Sequence, residues 1–171
     1  MRKIVLRLLV AVALAGSGLA VTTAPASAAG VCGGKFAYRA HVQDLDWQPW
    51  VCGGQWAGTQ GLAKNLEAIE FQINPANQET FCARAHRSNY GWDSVSQCAS
   101  SGTFQIGTTG MNSPIEAVEV RAQFNAVEGN AYSRNVGWLD GMTYSGRTGT
   151  IGTTGQNRPM EMFWINIKYV S

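Results

Sequence analysis

Three stretches of this chain repeat one another, and this repetition limits the possible folds more than any other feature. The stretches are Ala40–Trp47, Ala85–Trp92 and Ala131–Trp138, and their tryptophans lie 45 and then 46 residues apart. Each is followed by a Gly-x-x-Gly turn, and a glutamate stands six residues after the last glycine of each turn: Gly58–Gly61 with Glu67, Gly107–Gly110 with Glu116, and Gly152–Gly155 with Glu161. So regular a period indicates one supersecondary unit used three times, and such a unit must pack on its copies to bury its apolar face.

The residues after each glutamate alternate in polarity, which predicts half-buried β-strands. Glu67, Ile69, Phe71 and Ile73 fall on one side of the first such strand, and the same alternation follows Glu116 and Glu161. Opening strands are expected around 36–42, 81–87 and 131–136, with polar joints between repeats at 74–80 and 125–130. We therefore predict an all-β, pseudo-threefold closed structure of three repeats of about 45 residues. A β-prism and a β-trefoil both fit, and the long regular strands favour the prism.

The N-terminal segment has the pattern of an export signal. Residues 1–28 contain a basic head, the apolar run Leu8–Val21, and the sequence Ala26-Ser27-Ala28, which resembles a signal-peptidase site. Residues 29–171 are then expected to form a single domain, with repeats at about 36–75, 81–124 and 129–169. This predicts a secreted, extracellular protein.

The charge of the predicted mature chain argues against two classes of partner. The whole chain has 13 basic and 11 acidic residues, and the signal holds three of the basic ones, which leaves 10 against 11, a net charge of −1. Nucleic acids and anionic membranes are bound by clustered positive charge. We therefore expect neither a nucleic-acid nor a membrane partner.

Four cysteines remain after the predicted signal is removed. Export to an oxidising space favours two disulfides. Cys52 and Cys98 follow their tryptophans by five and six residues, so they are near-equivalent, and Cys32 and Cys82 each precede their own repeat. This favours the local pairs Cys32–Cys52 and Cys82–Cys98. Because no C-x-x-C pair and no further ligand at zinc spacing is present, we expect no metal site and no cofactor.

The repeated glutamates are the first candidates for chemistry. Glu67, Glu116 and Glu161 lie on the core-facing side of their strands, where a carboxylate needs hydrogen-bond donors. We expect each to be structural and to bind the backbone of its own Gly-x-x-Gly turn. Three equivalent acids around an axis do not make the acid pair in different environments that glycoside hydrolysis uses. No catalytic residue is therefore assigned.

The repeated tryptophans support two interpretations. Trp47, Trp92 and Trp138 could anchor the core, or could stack on sugar rings. The candidate ligand-binding set pairs each tryptophan with the polar residue three positions earlier: Asp44 with Trp47, Asn89 with Trp92, and Asn135 with Trp138. An indole beside an amide or carboxylate is the usual composition of a sugar site.

Other aromatic positions and the histidines complete the candidates. His41 and His86 occupy equivalent positions, where the third repeat has Tyr132, which favours a packing or hydrogen-bonding role over a metal ligand. The remaining tryptophans, Trp50, Trp56 and Trp164, are not repeated. Trp164 falls on the side of its strand opposite the core residues and is a candidate exposed contact.

The order of these motifs resembles the clostridial hydrophobic-W (ChW) repeat. The matching pieces are a Gly-Trp pair, a Gly-x-x-Gly turn and a Leu-Glu-Ala-Ile-like strand, as in Gly91-Trp92, Gly107–Gly110 and Pro114–Val118. The first repeat matches with Asp46 in place of the glycine before its tryptophan, and the chain has cysteines that the repeat does not require. The resemblance implies a secreted protein of a Gram-positive bacterium that binds surfaces or polysaccharides. It carries no catalytic residues over to this chain.

Three functional hypotheses follow. The first is a lectin-like, non-catalytic module that binds cell-wall or environmental polysaccharide, with up to three weak sites strengthened by multivalency. The second is a protein-binding or self-assembling protein, with an inhibitory or adhesive role, acting through a single patch around Trp50, Trp56 or Trp164. The third is a glycan hydrolase, which would need a unique acid pair in a cleft.

Overall fold

The computed structural model describes residues 32–33, 36–139 and 146–169, so the predicted signal at 1–28 lies outside the described residues. The fold is all-β and antiparallel, as predicted. The strands are β1 (Ala37–Val42), β2 (Asp46–Trp47), β3 (Val51–Cys52), β4 (Ala57–Gly58), β5 (Leu66–Ile73), β6 (Phe81–Arg87), β7 (Gly91–Trp92), β8 (Gln97–Ala99), β9 (Gly102–Gly107), β10 (Ile115–Ala122), β11 (Ala126–Ser133), β12 (Gly137–Trp138), β13 (Thr148–Gly152) and β14 (Met160–Lys168). One 3₁₀ turn, Pro75–Asn77, lies between β5 and β6.

The strands form three sheets, two of five strands and one of four, which share a common order of four strands. Sheet 1 has the order β2-β1-β5-β9, with β3 also on β1; sheet 2 has the order β7-β6-β10-β13, with β8 also on β6; sheet 3 has the order β12-β11-β14-β4. In each sheet the opening strand pairs with the short tryptophan strand on one side and with the strand that follows the glutamate on the other. The choice between a prism and a trefoil description stays a prediction.

The fourth strand of each sheet comes from a different repeat. The strand that leads into the second glycine turn, β9, pairs with β5 of the first repeat, and β13 of the third repeat pairs with β10 of the second. The first repeat supplies β4 to the last strand, β14, through Met162↔Gly58 and Phe163↔Ala57. This exchange joins the three sheets in a cycle.

The larger of two clusters of buried hydrophobic residues in the described part of the chain draws on all three sheets. Its largest fully buried side chains come from all three sheets and include Tyr38, Phe71, Phe81, Ile115 and Phe163. The Tyr38 hydroxyl accepts a hydrogen bond from the backbone N–H of Ile165 at 3.0 Å and donates to the Gln55 carbonyl. Burial raises the pKa of Tyr38 above its ordinary value, so the hydroxyl keeps the proton that it donates.

The third opening strand begins earlier than predicted. It was expected at 131–136 after a polar joint at 125–130, but β11 covers Ala126–Ser133. Outward Glu128 and Asn130 and the central Gly129 give this segment the composition of a loop. Gly129 is required by packing, because a Cβ there would lie 2.4 Å from Ile151 Cδ1 and 2.5 Å from the Trp164 carbonyl oxygen.

The joint at 74–80 contains a buried acid that the sequence did not single out. Glu79 is fully buried, and its carboxylate accepts hydrogen bonds from the backbone N–H groups of Phe124 and Asn125, each at 3.1 Å, and from that of Gln123. It also accepts one from Asn125 Nδ2 at 2.7 Å. The joint between the first two repeats therefore fixes the turn between the second and third.

Both predicted disulfides are present. Cys32–Cys52 and Cys82–Cys98 close loops with sequence separations of 20 and 16 residues. Each bridge lies within one repeat, and the Cys82–Cys98 pair joins facing positions of β6 and β8. The described part of the chain holds no free cysteine.

Candidate functional site

The residues three positions before the tryptophans hold the backbone in a turn. Asp44, Asn89 and Asn135 have φ values of 60°, 66° and 62°, in the left-handed region where Asp and Asn are favoured among non-glycine residues. A second left-handed position directly precedes each tryptophan and is glycine in two repeats, while Asp46 takes it in the first with φ 61°. The turn alone thus gives a reason for the repeated Asp and Asn.

The repeated tryptophans lie outside the hydrophobic core. Trp47 and Trp92 are half-buried and Trp138 is 42% exposed. Each packs edge-on against the residue that faces it across the strand pair: His41 at 5.3 Å, His86 at 5.2 Å and Tyr132 at 5.0 Å between ring centroids. The core interpretation of these tryptophans is therefore wrong, because their short strands lie at sheet edges. The rings of His41 and His86 thus pack against the indoles that face them.

In sheets 1 and 2 an arginine covers part of the indole. The Arg39 guanidinium lies 4.7 Å from the centroid of Trp47, and Arg84 lies 5.0 Å from that of Trp92. Each arginine is held by a glutamate on the neighbouring strand, Glu70 at 2.6 Å and Glu119 at 2.9 Å. Cation–π contact with an ion-paired arginine fixes the indole on one side.

The repeated glutamates are buried, as their strand phase predicted. Glu67 Oε2 lies 3.3 Å from His41 Nδ1 and Glu116 Oε2 lies 3.1 Å from His86 Nδ1, close electrostatic contacts without the alignment of a formed hydrogen bond. Glu116 also accepts a hydrogen bond from Ser88 Oγ at 2.9 Å. Glu116 thus supports the loop that carries Trp92.

The expectation that each glutamate binds its own glycine turn is wrong. Glu161 Oε2 accepts from the Gly61 N–H at 3.0 Å, 100 residues away in the first repeat. The backbone carbonyls follow the same exchange: the N–H groups of Thr59, Thr108 and Thr153 donate to the carbonyls of Glu161, Glu67 and Glu116. The partner turn comes from another repeat because β4, β9 and β13 lie in sheets other than those of their own opening strands.

The first candidate pair lies in a depression formed by two repeats. Asp44 and Trp47 line a cavity of about 930 Å³ together with His41, Glu67, and Thr109 and Asn112 of the second repeat's turn. The Asp44 carboxylate is bound by Lys64 Nζ at 2.6 Å, and 63% of the Asp44 side chain is exposed. The depression therefore combines an indole with amide, hydroxyl and carboxylate groups. Its second-repeat side was not predicted, since equivalent turn residues were assigned to their own repeat.

The other two candidate pairs have different surroundings. Trp92 lines a depression of about 500 Å³ with Tyr90, Asp93 and Gln97. Asn89 is exposed in the adjoining turn. Trp138 packs against Trp56 with ring centroids 4.4 Å apart, and Trp56 packs edge-on against Trp164 at 6.0 Å. One scaffold therefore presents three different surfaces.

The Trp56–Trp138–Trp164 contact was missed as a unit, although the sequence held a signal for it. Three residues after each repeated glutamate stand Glu70, Glu119 and Trp164. The opposing positions on the opening strands are Arg39, Arg84 and Asn130. The Arg–Glu pair present in two repeats is replaced in the third by Asn130 and Trp164.

Within 32–33, 36–139 and 146–169, no group of three or more His, Cys, Asp or Glu side chains is placed to hold a metal ion. Over the same residues, no helix has the length and hydropathy needed to cross a membrane.

Comparison with known proteins supports the family resemblance. The family model described as Clostridial hydrophobic W, ChW, matches residues 41–75, which run from His41 in β1 through the first tryptophan, the glycine turn and Glu67. The matched segment is the first repeat, while the number of repeats stays a prediction. No curated protein and no solved structure matches the chain significantly.

Proposed function

We propose that this protein is a secreted, non-catalytic module that binds cell-wall or environmental polysaccharide. The observation that carries the proposal is the depression shared by the first two repeats, which sets Trp47 beside Asp44, Thr109 and Asn112. An aromatic face bordered by amide, hydroxyl and carboxylate groups matches the two chemistries of a sugar: apolar C–H faces and a rim of hydroxyls. The ChW match and the two disulfides support an extracellular binding role.

Arg39 determines which side of the Trp47 indole is open to a sugar. Arg39 lies over the indole of Trp47 and also 4.8 Å from the centroid of Trp50. Arg39 is in turn held by Glu70. This network leaves Trp47 pre-ordered, and pre-ordering lowers the entropic cost of binding. A ligand in the depression would meet the part of the indole that Arg39 does not cover.

The hydroxyls of a bound sugar would form hydrogen bonds with polar groups at the edge of the depression. Asn112 belongs to the turn of the second repeat and has a φ of 45°, in the left-handed region. Asp44 is already paired with Lys64, so both groups together can accept from and donate to a hydroxyl. The asparagines Asn89 and Asn135 are assigned mainly to turn geometry, with ligand contact as a secondary role.

The test is retention of residues 29–171 on purified cell wall, chitin, cellulose and xylan, with elution by soluble fragments of the retaining polymer. Trp47→Ala and Asn112→Ala are expected to weaken retention at least tenfold. Asp44→Gly keeps a left-handed turn while removing the carboxylate, so it separates ligand contact from backbone geometry. Phe124→Ala, which removes an exposed aromatic ring from the turn between β10 and β11, is the matched control.

The outcomes separate the three hypotheses. Retention lost in Trp47→Ala and kept in Phe124→Ala supports the polysaccharide proposal. Absence of retention on every polymer by the folded protein rejects it and favours a protein partner. Release of reducing ends from a retained polymer, measured over hours, would show a hydrolase instead of a non-catalytic module.

A further inference from the structure

We infer that the outer face of sheet 3 is a second glycan-binding surface, built on Trp56, Trp138 and Trp164 and specific for an uncharged sugar chain. This inference rests on the proposed function, since it assigns a further site for the same class of ligand. We call these three residues the tryptophan triad. Trp56 and Trp138 are 40% and 42% exposed, and Trp164 is half-buried.

In sheet 3 an aromatic surface replaces the ion pair that the other two sheets carry on their outer faces. In sheets 1 and 2 the central outer positions hold the pairs Arg39–Glu70 and Arg84–Glu119, both within ion-pair distance. In sheet 3 the same register position pairs Asn130 with Trp164. The indole of Trp138 therefore contacts Trp56 where its counterpart Trp92 contacts an arginine.

The second argument concerns the charge of the ligand. The charged groups next along this face, Glu128 and Lys168, are paired with each other at 2.7 Å. Asn166 Nδ2 donates to Glu128 Oε1 at 3.1 Å, which completes a neutral polar border. Among the described residues of this face, Glu128 and Lys168 neutralise each other, so a charged ligand gains little here, whereas the hydroxyls of a neutral sugar can exchange hydrogen bonds with this border.

The third argument is the orientation of Asn130 beside Trp164. Its Oδ1 accepts a hydrogen bond from the Ala131 backbone N–H at 2.7 Å, which fixes the amide plane. The amide NH₂ is then the group that can donate to a sugar hydroxyl. An aromatic face with an oriented amide at its edge satisfies both requirements of a pyranose ring.

The fourth argument excludes a cage for an organic cation. Aromatic cages enclose a quaternary ammonium between separated ring faces. In the triad the Trp56 and Trp138 centroids are only 4.4 Å apart, with their planes inclined by 52°, so the rings fill the space between them. The triad is a packed, angled surface that a sugar ring can lie against from outside.

The fifth argument is the size of the surface. A tryptophan side chain offers up to ~250 Å², so exposed fractions near two-fifths leave on the order of 100 Å² each. The whole triad then presents no more than ~300 Å², well below the ~800 Å² that each partner buries in a stable protein complex. The area fits one or two sugar rings better than a protein partner or a second copy of this chain.

The test uses a variant that restores the residues of the other sheets. Asn130→Arg with Trp164→Glu rebuilds the Arg–Glu pair of sheets 1 and 2, so the variant is expected to fold. Wild type and variant are titrated with neutral oligomers of glucose, xylose and N-acetylglucosamine, followed by tryptophan fluorescence and by retention on the corresponding polymer. We expect at least a tenfold weaker affinity in the double variant and a similar loss in Trp56→Gln. Glutamine is chosen because Gln105 in β9 holds the equivalent position before the second glycine turn.

The inference and the proposed function fail in different ways. If wild type binds a polymer, Trp47→Ala abolishes binding and the double variant binds normally, the triad is not a glycan site and the proposed function stands. If wild type binds none of the polymers or oligomers, both are rejected. If light scattering shows a dimer that the double variant dissociates, the triad is an interface between copies, and the inference is wrong. A reciprocal variant, Arg84→Asn with Glu119→Trp and Thr150→Trp, should strengthen retention by building a similar surface on sheet 2.

Discussion

The junction between repeats depends on the first glycine of each Gly-x-x-Gly turn, and Gly107 offers a controlled test of this dependence. A Cβ on Gly107 would lie 2.4 Å from the Glu67 carbonyl oxygen and 2.9 Å from Ile115 Cδ1. The last glycine of the same turn, Gly110, has nearly the same φ, 70° against 73°, and open space around the position of its Cβ. The pair therefore separates backbone strain from the close approach of two repeats.

The expected magnitudes differ clearly. A left-handed alanine costs ~1–2 kcal/mol, and the reduced entropy of the unfolded chain returns ~0.4–1 kcal/mol of that. Gly110→Ala should therefore lower the free energy of unfolding by about 1 kcal/mol. Gly107→Ala carries the same strain and must also displace the Glu67 backbone, and overpacking costs ~1–3 kcal/mol more. We expect about 3 kcal/mol in total for Gly107→Ala.

The assay is urea denaturation of both variants with the disulfides intact, followed by circular dichroism and fluorescence. The same variants can be compared by thermal unfolding, where a difference of about 2 kcal/mol corresponds to a shift in Tm of roughly 6 °C for a domain of this size. Equal destabilisation of the two variants would refute the reasoning, because it would show that the turn does not pack against Glu67 as the structure has it. Gly152→Ala, whose Cβ would lie 2.2 Å from the Glu116 carbonyl oxygen, should reproduce the larger loss.

Three further predictions concern the joints, the bridges and one ion pair. Glu79→Gln should lower the free energy of unfolding in urea by ~2–4 kcal/mol, because an amide cannot replace a carboxylate that accepts several N–H bonds; a loss below ~1 kcal/mol would contradict this. Replacing both Cys82 and Cys98 by alanine should cost ~3 kcal/mol on the loop-entropy model, and a thermal scan of the unreduced variant measures it. Burial opposes ionisation of Glu128, but Lys168 and Asn166 outweigh it and lower the pKa of Glu128. The resulting stabilisation is present above the ordinary glutamate pKa and is lost as pH falls through the lowered value, so Lys168→Met should flatten stability measured across acid pH, and an unchanged slope would argue against the pair.

The parts of the fold that depend on near neighbours could be predicted from the sequence. The period-two alternation after Glu67 predicted the central strand of sheet 1, because a strand buried on one face has apolar residues at every second position. The disulfide pairs followed because each closes a loop within one repeat. The left-handed turns at Asn89 and Asn135 are also indicated by the sequence, because Asn is favoured in that conformation, although the same residues also fit a sugar site.

The exchange of strands could not be predicted in the same way. Gly61 and Gly110 stand in similar local sequences, and nothing near either one says which glutamate its turn will meet. That choice depends on contacts such as Gly61 with Glu161, which lie 100 residues apart in the chain. For the same reason Asp44 and Trp47 were predictable as a candidate pair, whereas Asn112, which reaches the site from the next repeat, was not.

The exchange of strands also constrains how many such units the fold can hold. An open array of repeats can gain or lose a unit at either end, because each unit contacts only its neighbours. Here every unit both lends a strand and receives one, and the first unit completes the sheet of the last. Deleting one unit would leave a strand of another unit without the sheet on which it pairs. Inserting a fourth would change the angle at which the cycle closes. A single unit made as a separate chain could meet its own requirement only by exchanging strands with two copies of itself, as a trimer.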